Sequence, residues 1–132
     1  MPGPSPRTYY VASTTQRVAA MRPFDLLLLA LLLPLLAYTA LVASDHGLGL
    51  IPLFFAAIGE RTWQGQFNFD FLGFLILSAC WSAWRFGYGF KGWSLATLAF
   101  FGGIPYLTVT LLVLRRAHGT DWAAILLPQT PS

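Results

Sequence analysis

Three long runs of apolar residues, separated by short polar stretches, dominate the sequence. The first run, Leu26–Ala43, carries no charge. As an α-helix it is about 27 Å long, which matches the hydrocarbon core of a bilayer. Pro34 lies inside the run and should kink the helix, because proline removes one backbone donor. Asp45 and His46 follow the run, and Gly47 is expected to end the helix as a left-handed cap.

The segment between the first and second runs is apolar but too short to cross a bilayer. Residues 47–59 read GLGLIPLFFAAIG and are followed by Glu60 and Arg61. A short helix that begins near Pro52 and lies in the membrane interface accounts for both features. A re-entrant hairpin over residues 47–70 is the alternative, and it would need protein around its backbone.

The second run, Phe71–Trp84, lies between Asp70 and Arg85. It gives a helix of only about 21 Å, which is short for a transmembrane span. The missing length is recovered if the Arg85 side chain extends to the interface and the helix continues through residues 86–90. Asp70 is then expected to lie near Asp45–His46, in a polar contact on the same side of the membrane.

The third run, Trp93–Leu114, is also uncharged, and a Gly-Gly-Ile-Pro sequence at residues 102–105 interrupts its centre. The remaining residues, 117–132, predict one interfacial turn with Thr120 or Asp121 as its N-cap. An odd number of spans would place the two ends of the chain on opposite sides of the membrane.

These runs predict an all-α integral membrane protein with three transmembrane helices and a short interfacial helix between the first and second. The predicted parts are a basic Pro/Ser/Thr-rich N-terminal tail over residues 1–23, a three-helix domain over 24–116 and an interfacial C-terminal tail over 117–132. The N-terminal tail is typical of a cleaved transit peptide and equally of a retained tail, because it is basic and hydroxyl-rich and contains no acid.

Composition excludes a soluble enzyme or a nucleic-acid-binding module. Of the 132 residues, 56% are hydrophobic and 10% are charged, whereas a soluble domain carries about a quarter charged residues. The net charge of +3 therefore bears on membrane orientation. In a three-span topology the N-terminal side holds five basic residues, Arg7, Arg17, Arg22, Arg85 and Lys91, and the other side holds Arg61, Arg115 and Arg116. This distribution favours a cytoplasmic N-terminus.

Small residues predict where the second and third helices pack, because small side chains allow close approach in lipid. These residues are Ser78, Ala79, Ser82, Ala83, Ala99, Gly102 and Gly103. The alternative is a flat groove for a pigment ring, a quinone or a lipid, since aromatic side chains flank the same face. The candidate binding residues for such a group are Trp81, Trp84 and Phe100.

Few residues suggest chemistry. Ionisable residues lie near the predicted ends of the spans, which disfavours a pump or a channel. No nucleophile–base pair and no phosphate-binding loop is evident, so we expect no enzyme activity. His46 is a candidate axial ligand for a chlorophyll magnesium or a haem iron, with a helix terminus as the alternative. The lone Cys80 excludes an intrachain disulfide, and the sequence predicts no metal site.

The order of several short motifs resembles the small bacterial membrane family called domain of unknown function 2834. The motifs are His46-Gly47-Leu48-Gly49-Leu50, Phe54-Phe55, a helix from Asp70 to Arg85, Trp93, and Gly102-Gly103-Ile104-Pro105. The resemblance covers about residues 25–115. It implies a three-helix bacterial inner-membrane protein and no catalytic residue.

Taken together, the sequence and the resemblance predict a non-catalytic accessory subunit of a larger photosynthetic or respiratory electron-transfer complex. The expected location is a bacterial inner membrane or an intracytoplasmic photosynthetic membrane. Expected partners are other membrane subunits and lipids, with lipid, quinone, carotenoid or (bacterio)chlorophyll at the surface, and we expect Arg7, Tyr9 and Tyr10 to dock on a partner. One alternative is a hydrophobic-ligand binder or sensor that uses Trp81 or Phe100. The other is a small homo-oligomeric transporter that associates through Ala99 and Gly103.

Overall fold

The computed structural model describes residues 6–129, with side chains from residue 23 onward. Its helices are α1 (Pro6–His46), α2 (Leu50–Gly59), α3 (Trp63–Arg85), α4 (Phe90–His118) and α5 (Trp122–Leu126). The described part of the chain contains no strand. By length and composition, α3, α4 and the Pro23–His46 part of α1 could each cross a membrane. The predicted all-α membrane fold, with a shorter helix between the first two long ones, is confirmed.

Helix α1 contains the first apolar run and ends where the sequence predicts. The helix begins at Pro6, within the segment predicted to be a tail, and it continues through Pro34. At its other end Gly47 has φ +76°, and its N–H donates to the Ala43 carbonyl over 2.9 Å. This geometry confirms the predicted left-handed cap, which glycine adopts without steric cost.

Helix α3 begins before the second apolar run, and the prediction that it continues through residues 86–90 is wrong. The helix begins at Trp63, where the Thr62 hydroxyl caps the Gly65 N–H over 3.2 Å. It ends at Arg85 because Gly87 adopts a φ of +81° that closes the turn.

Because α3 begins at Trp63, Asp70 lies inside the helix and not at its start. The side chain is exposed. Among the described residues, no hydrogen bond or ion pair joins Asp70 to Asp45 or His46, so the expected polar contact between them is not formed.

Helix α4 is broken at its centre. Gly103 has φ +52° and ψ −134°, which lies outside the helical region. Pro105 follows it and has no backbone N–H to donate. A Cβ on Gly102 would lie 2.8 Å from the Tyr106 Cβ, so the two halves of the helix meet closely at this point. We call residues 90–102 the first half of α4 and residues 104–118 the second half.

The first half of α4 runs antiparallel to α3. A Cβ on Gly92 would lie 3.1 Å from the carbonyl oxygen of Ala83, close to the end of α3. A Cβ on Gly103 would lie 3.7 Å from side-chain carbons of Phe71 and Leu75, which come earlier in α3. The first half therefore carries the chain about 16 Å away from the end of α3.

The second half carries the chain back to that same end. Arg85 Nε donates to the Ile125 carbonyl over 2.8 Å, so α5 lies beside the end of α3. A straight α4 would place His118 about 39 Å from Gly92. The seven residues from His118 to Ile125 span at most about 25 Å even when extended, and here they form a turn and a helix. Helix α4 is therefore a helical hairpin with its tip at residues 102–105.

The apolar part of α1 starts at this end of the bundle as well. Asp25 Oδ1 lies 2.8 Å from Arg115 Nε. The Phe24 and Trp122 rings meet edge to face at 5.2 Å, and the Arg115 guanidinium lies over both, 4.7 and 5.2 Å from their centroids. The start of the first apolar run and the end of α4 therefore lie at the same end of the bundle, whereas three straight spans would place them at opposite ends.

A small core lies between α3 and the two halves of α4. Its buried residues are Ser82, Ala83, Ala96, Ala99, Thr108 and Leu114. The Tyr106 hydroxyl donates to Ser82 Oγ over 2.9 Å, and the Thr108 hydroxyl donates to the Ile104 carbonyl over 2.8 Å. Small side chains thus allow three helical segments to pack closely, and their hydroxyl groups are paired within the core.

Replacement of Gly92 should test this close packing. A Cβ there would collide with the carbonyl oxygen of Gly87, a backbone atom that cannot move aside cheaply. We expect Gly92→Ala to lower the free energy of unfolding by about 1–3 kcal/mol, measured by denaturant titration in mixed micelles. The matched control is Gly73→Ala, since nothing lies within 4 Å of that Cβ. Equal stabilities of the two variants would contradict the packing described here.

Candidate functional site

An open apolar cavity of about 560 Å³ lies beyond the tip of the α4 hairpin. The tip forms its floor, and α1, α2 and α3 surround it. The lining comprises Leu35, Thr39, Leu50, Ile51, Phe54, Phe55, Phe71, Leu72, Leu75 and residues 100–105. Thr39 has the one polar side chain among these lining residues. The cavity is therefore suited to a hydrophobic group.

The floor of the cavity owes its shape to the chain reversal in α4. Because Pro105 has no N–H, the carbonyl of Phe101 loses the donor that a regular helix would supply. Non-helical backbone at membrane depth is tolerated where protein surrounds it or where it lines a cavity. The floor therefore combines apolar side chains with backbone that lacks the regular hydrogen bonds of an α-helix.

Polar contacts with α3 fix helix α2 beside the cavity. Asn68 Nδ2 donates to the Phe54 carbonyl over 3.1 Å, and Gln64 Nε2 donates to Asn68 Oδ1 over 2.8 Å. A Cβ on Gly65 would collide with the Ala57 carbonyl, so the two helices are in backbone contact there. These contacts orient α2 so that the Phe54 ring lies 6.4 Å from the ring of Phe71 in the cavity wall.

The opposite end of α3 is tied to α5 by a buried arginine. Arg85 is 5% exposed, and its guanidinium donates to the carbonyls of Ile125 and Ala124, each over 2.8 Å. Trp81 Nε1 donates to the Leu126 carbonyl over 3.1 Å. The last carbonyls of a helix have no donor within it, so Arg85 and Trp81 together satisfy the end of α5.

The start of α5 is capped as the sequence predicts. Asp121 Oδ1 accepts a hydrogen bond from the Ala124 N–H over 3.1 Å, which confirms the predicted N-cap. Both ends of this short helix are thus satisfied by side chains, and it is held firmly against α3.

The residues of the predicted aromatic groove have different surroundings. Phe100 lines the cavity at the hairpin tip. Trp81 instead donates a hydrogen bond to α5, and Trp84 is 42% exposed beside Arg85, where α3 ends. Trp81 and Trp84 are thus not among the residues that line this cavity with Phe100.

The other predicted residues occupy varied positions. Ser82, Ala83 and Ala99 are buried, whereas Ser78, Ala79, Gly102 and Gly103 are partly buried. The buried hydroxyl of Ser78 has no hydrogen-bond partner among the described residues. His46 is exposed at the end of α1 and does not line the cavity. Arg7, Tyr9 and Tyr10 lie outside the residues whose side chains are described.

Sequence reasoning missed most of the cavity wall. Leu35 and Thr39 belong to a leucine-rich helix in which no local pattern distinguishes them, and Phe71 has many aromatic neighbours in the sequence. The usable signal was the Gly-Gly-Ile-Pro interruption at residues 102–105. Within the described residues, no group of three or more His, Cys, Asp or Glu could hold a metal ion.

Loss of the Asn68 side chain should release α2. In Asn68→Ala the Phe54 carbonyl loses its donor, at a cost of about 1 kcal/mol. We therefore expect the amides of α2 to exchange hydrogen about fivefold faster in nanodiscs, as measured by mass spectrometry. Gln66→Ala is the control, because Gln66 is an exposed amide side chain on the same turn. Unchanged exchange in Asn68→Ala would mean that this bond does not hold the helix.

No family model matches this chain, and neither the curated proteins nor the solved structures gave a match. The resemblance to the family called domain of unknown function 2834 therefore stays a prediction that rests on its motifs.

Proposed function

We propose that this protein is a non-catalytic accessory subunit of a larger membrane complex. The observation that carries the proposal is the position of Asp70 on α3. The backbone of this residue lies about 10 Å along the helix from Trp63. The helix is long and apolar enough to span a membrane, and the Asp70 side chain is exposed.

A carboxylate on the lipid-facing surface of a span is costly and is usually paired. Among the described residues Asp70 has no hydrogen-bond or ion-pair partner. A neighbouring subunit that presents a basic or hydrogen-bond-donating group at this depth would remove the cost. The partner expected from this chemistry is therefore another membrane protein, and Asp70 marks where it docks.

The surface of α1 supports the same proposal. Among the described side chains of α1, the buried large ones are Leu28 and Leu32, and 11% of the helix's most apolar window is buried. The chain thus covers one side of α1 and leaves the rest available to lipid or to a partner. Of the two residues through which the transporter alternative would self-associate, Ala99 is 0% exposed and Gly103 is partly buried.

Replacement of Asp70 should separate association from folding. We expect Asp70→Leu to keep the fold, since the side chain is exposed and makes no hydrogen bond or ion pair with the described residues. We expect it to weaken association about tenfold through loss of a charged hydrogen bond. The measurement is the amount of partner that co-purifies with tagged protein in mild detergent. Asp45→Leu, which removes an exposed carboxylate at the end of α1, is the control. Full co-purification with Asp70→Leu would refute the proposed docking site.

A second candidate function is the binding of a hydrophobic molecule, and the cavity favours it. Its volume of about 560 Å³ falls within the range of small-molecule sites, which are mostly apolar. Lipid acyl chains, quinone rings and carotenoids share the chemistry that this lining accepts.

Filling the cavity should displace such a molecule. We expect Thr39→Trp to remove a hydrophobic compound that co-purifies with the wild-type protein, detected by mass spectrometry of an organic extract. Ala40→Trp places the same bulk on the adjacent, exposed position outside the cavity lining and should leave the compound in place. Retention in both variants, or a wild-type protein without any such compound, would count against the binding function.

A further inference from the structure

We propose that α4 enters and leaves the membrane on one side as a re-entrant hairpin, and that this side is the cytoplasm. The proposal concerns membrane topology and does not depend on the proposed function. It rests on the lengths of the helical segments, on the contacts at one end of the bundle and on the distribution of basic residues.

Helix lengths fit two crossings and one partial insertion. From Asp25 to Asp45, α1 rises about 30 Å, and from Gly65 to Arg85, α3 rises about the same distance. Both values match the hydrocarbon core of a bilayer. The two halves of α4 rise only about 20 and 22 Å. Each half therefore reaches about two-thirds of the way across, and neither completes a crossing alone.

The contacts place four chain segments in one plane at the end where α4 starts and finishes. Asp25 at the start of the apolar part of α1 pairs with Arg115 at the end of α4. Arg85 at the end of α3 bonds to α5 through the Ile125 carbonyl. If Asp25 and Arg85 lie at one membrane interface, the end of α4 and the whole of α5 lie at that interface too.

The hairpin tip satisfies the condition for non-helical backbone inside a membrane. Such backbone must be surrounded by protein or must line a cavity. A Cβ added to Gly103 would lie 3.7 Å from side-chain carbons of Phe71 and Leu75. The tip also forms the floor of the cavity. The tip is therefore shielded from direct lipid contact on the side of α3.

The hairpin changes the distribution of charge across the membrane. A straight α4 would divide the eight lysines and arginines into five and three. With the hairpin, seven belong to one side, because they either precede the apolar part of α1 in the sequence or lie at the shared end of α3 and α4. These are Arg7, Arg17, Arg22, Arg85, Lys91, Arg115 and Arg116, and Arg61 is on the other side. An excess of this size identifies the cytoplasmic side.

Cysteine accessibility tests this topology in the full chain. In a Cys80→Ala background, Tyr88→Cys, Ala117→Cys and Glu60→Cys would be labelled with a membrane-impermeant maleimide in right-side-out and inside-out vesicles. We expect positions 88 and 117 to be labelled from the cytoplasmic face and position 60 from the opposite face. Labelling of 117 together with 60 would overturn the hairpin. Labelling of 88 and 117 from the outer face would overturn the orientation.

A crosslink provides a second measurement if a labelling variant fails to fold. The rings of Phe24 and Trp122 are in contact, so Phe24→Cys with Trp122→Cys, in the same background, should be joined within one chain by a short bismaleimide. The joined chain is expected to show altered mobility on a denaturing gel. Asp45→Cys with Trp122→Cys is the matched control and should stay unlinked. Failure of the first pair to link in membranes where the chain is folded would overturn the proposal.

Discussion

The backbone of Gly103 adopts a conformation that residues with a side chain rarely reach, and the arrangement of the other helices depends on the chain reversal it permits. Because the second half of α4 returns along α3, Arg115 meets Asp25 and the carbonyls of α5 meet Arg85. Helix α1 packs mainly on α4. A straight α4 would remove these contacts together, since they all lie at the end to which the hairpin returns.

Two buried arginines hold the open end of this hairpin by different means. Arg85 donates to backbone carbonyls of α5, whereas Arg115 pairs with Asp25 and lies over two aromatic rings. A buried charge is costly unless it is paired and hydrogen-bonded. Arg85 is compensated by hydrogen bonds to carbonyls of α5, and Arg115 is compensated by its ion pair with Asp25. The interactions that stabilise the two charges therefore also join α1, α3, α4 and α5.

Local chemistry predicted the parts of this fold that depend on neighbouring residues. The apolar runs, the Gly47 cap and the Asp121 cap all follow from such patterns. The course of α4 does not, because a charge-free run with a central break is compatible with a kinked span and with a hairpin. The contact between Arg85 and Ile125, 40 residues apart, decides between them. The cavity escaped prediction for the same reason, since its wall is assembled from residues of four helices.

The cavity is a geometric consequence of the hairpin, which links the two candidate functions. The two halves of α4 are shorter than α1 and α3, so a volume is left beyond the hairpin tip. Helix α2 borders that volume because Asn68 holds it against α3. Phe71 lines the cavity, and its sequence neighbour Asp70 is exposed. A partner seated at Asp70 would therefore lie at the same height along α3 as any molecule in the cavity. Loss of the partner should then alter the exposure of the molecule in the cavity, and loss of that molecule should alter the exposure of the partner's docking surface. Partner binding and cavity occupancy would thus be coupled through a single turn of α3.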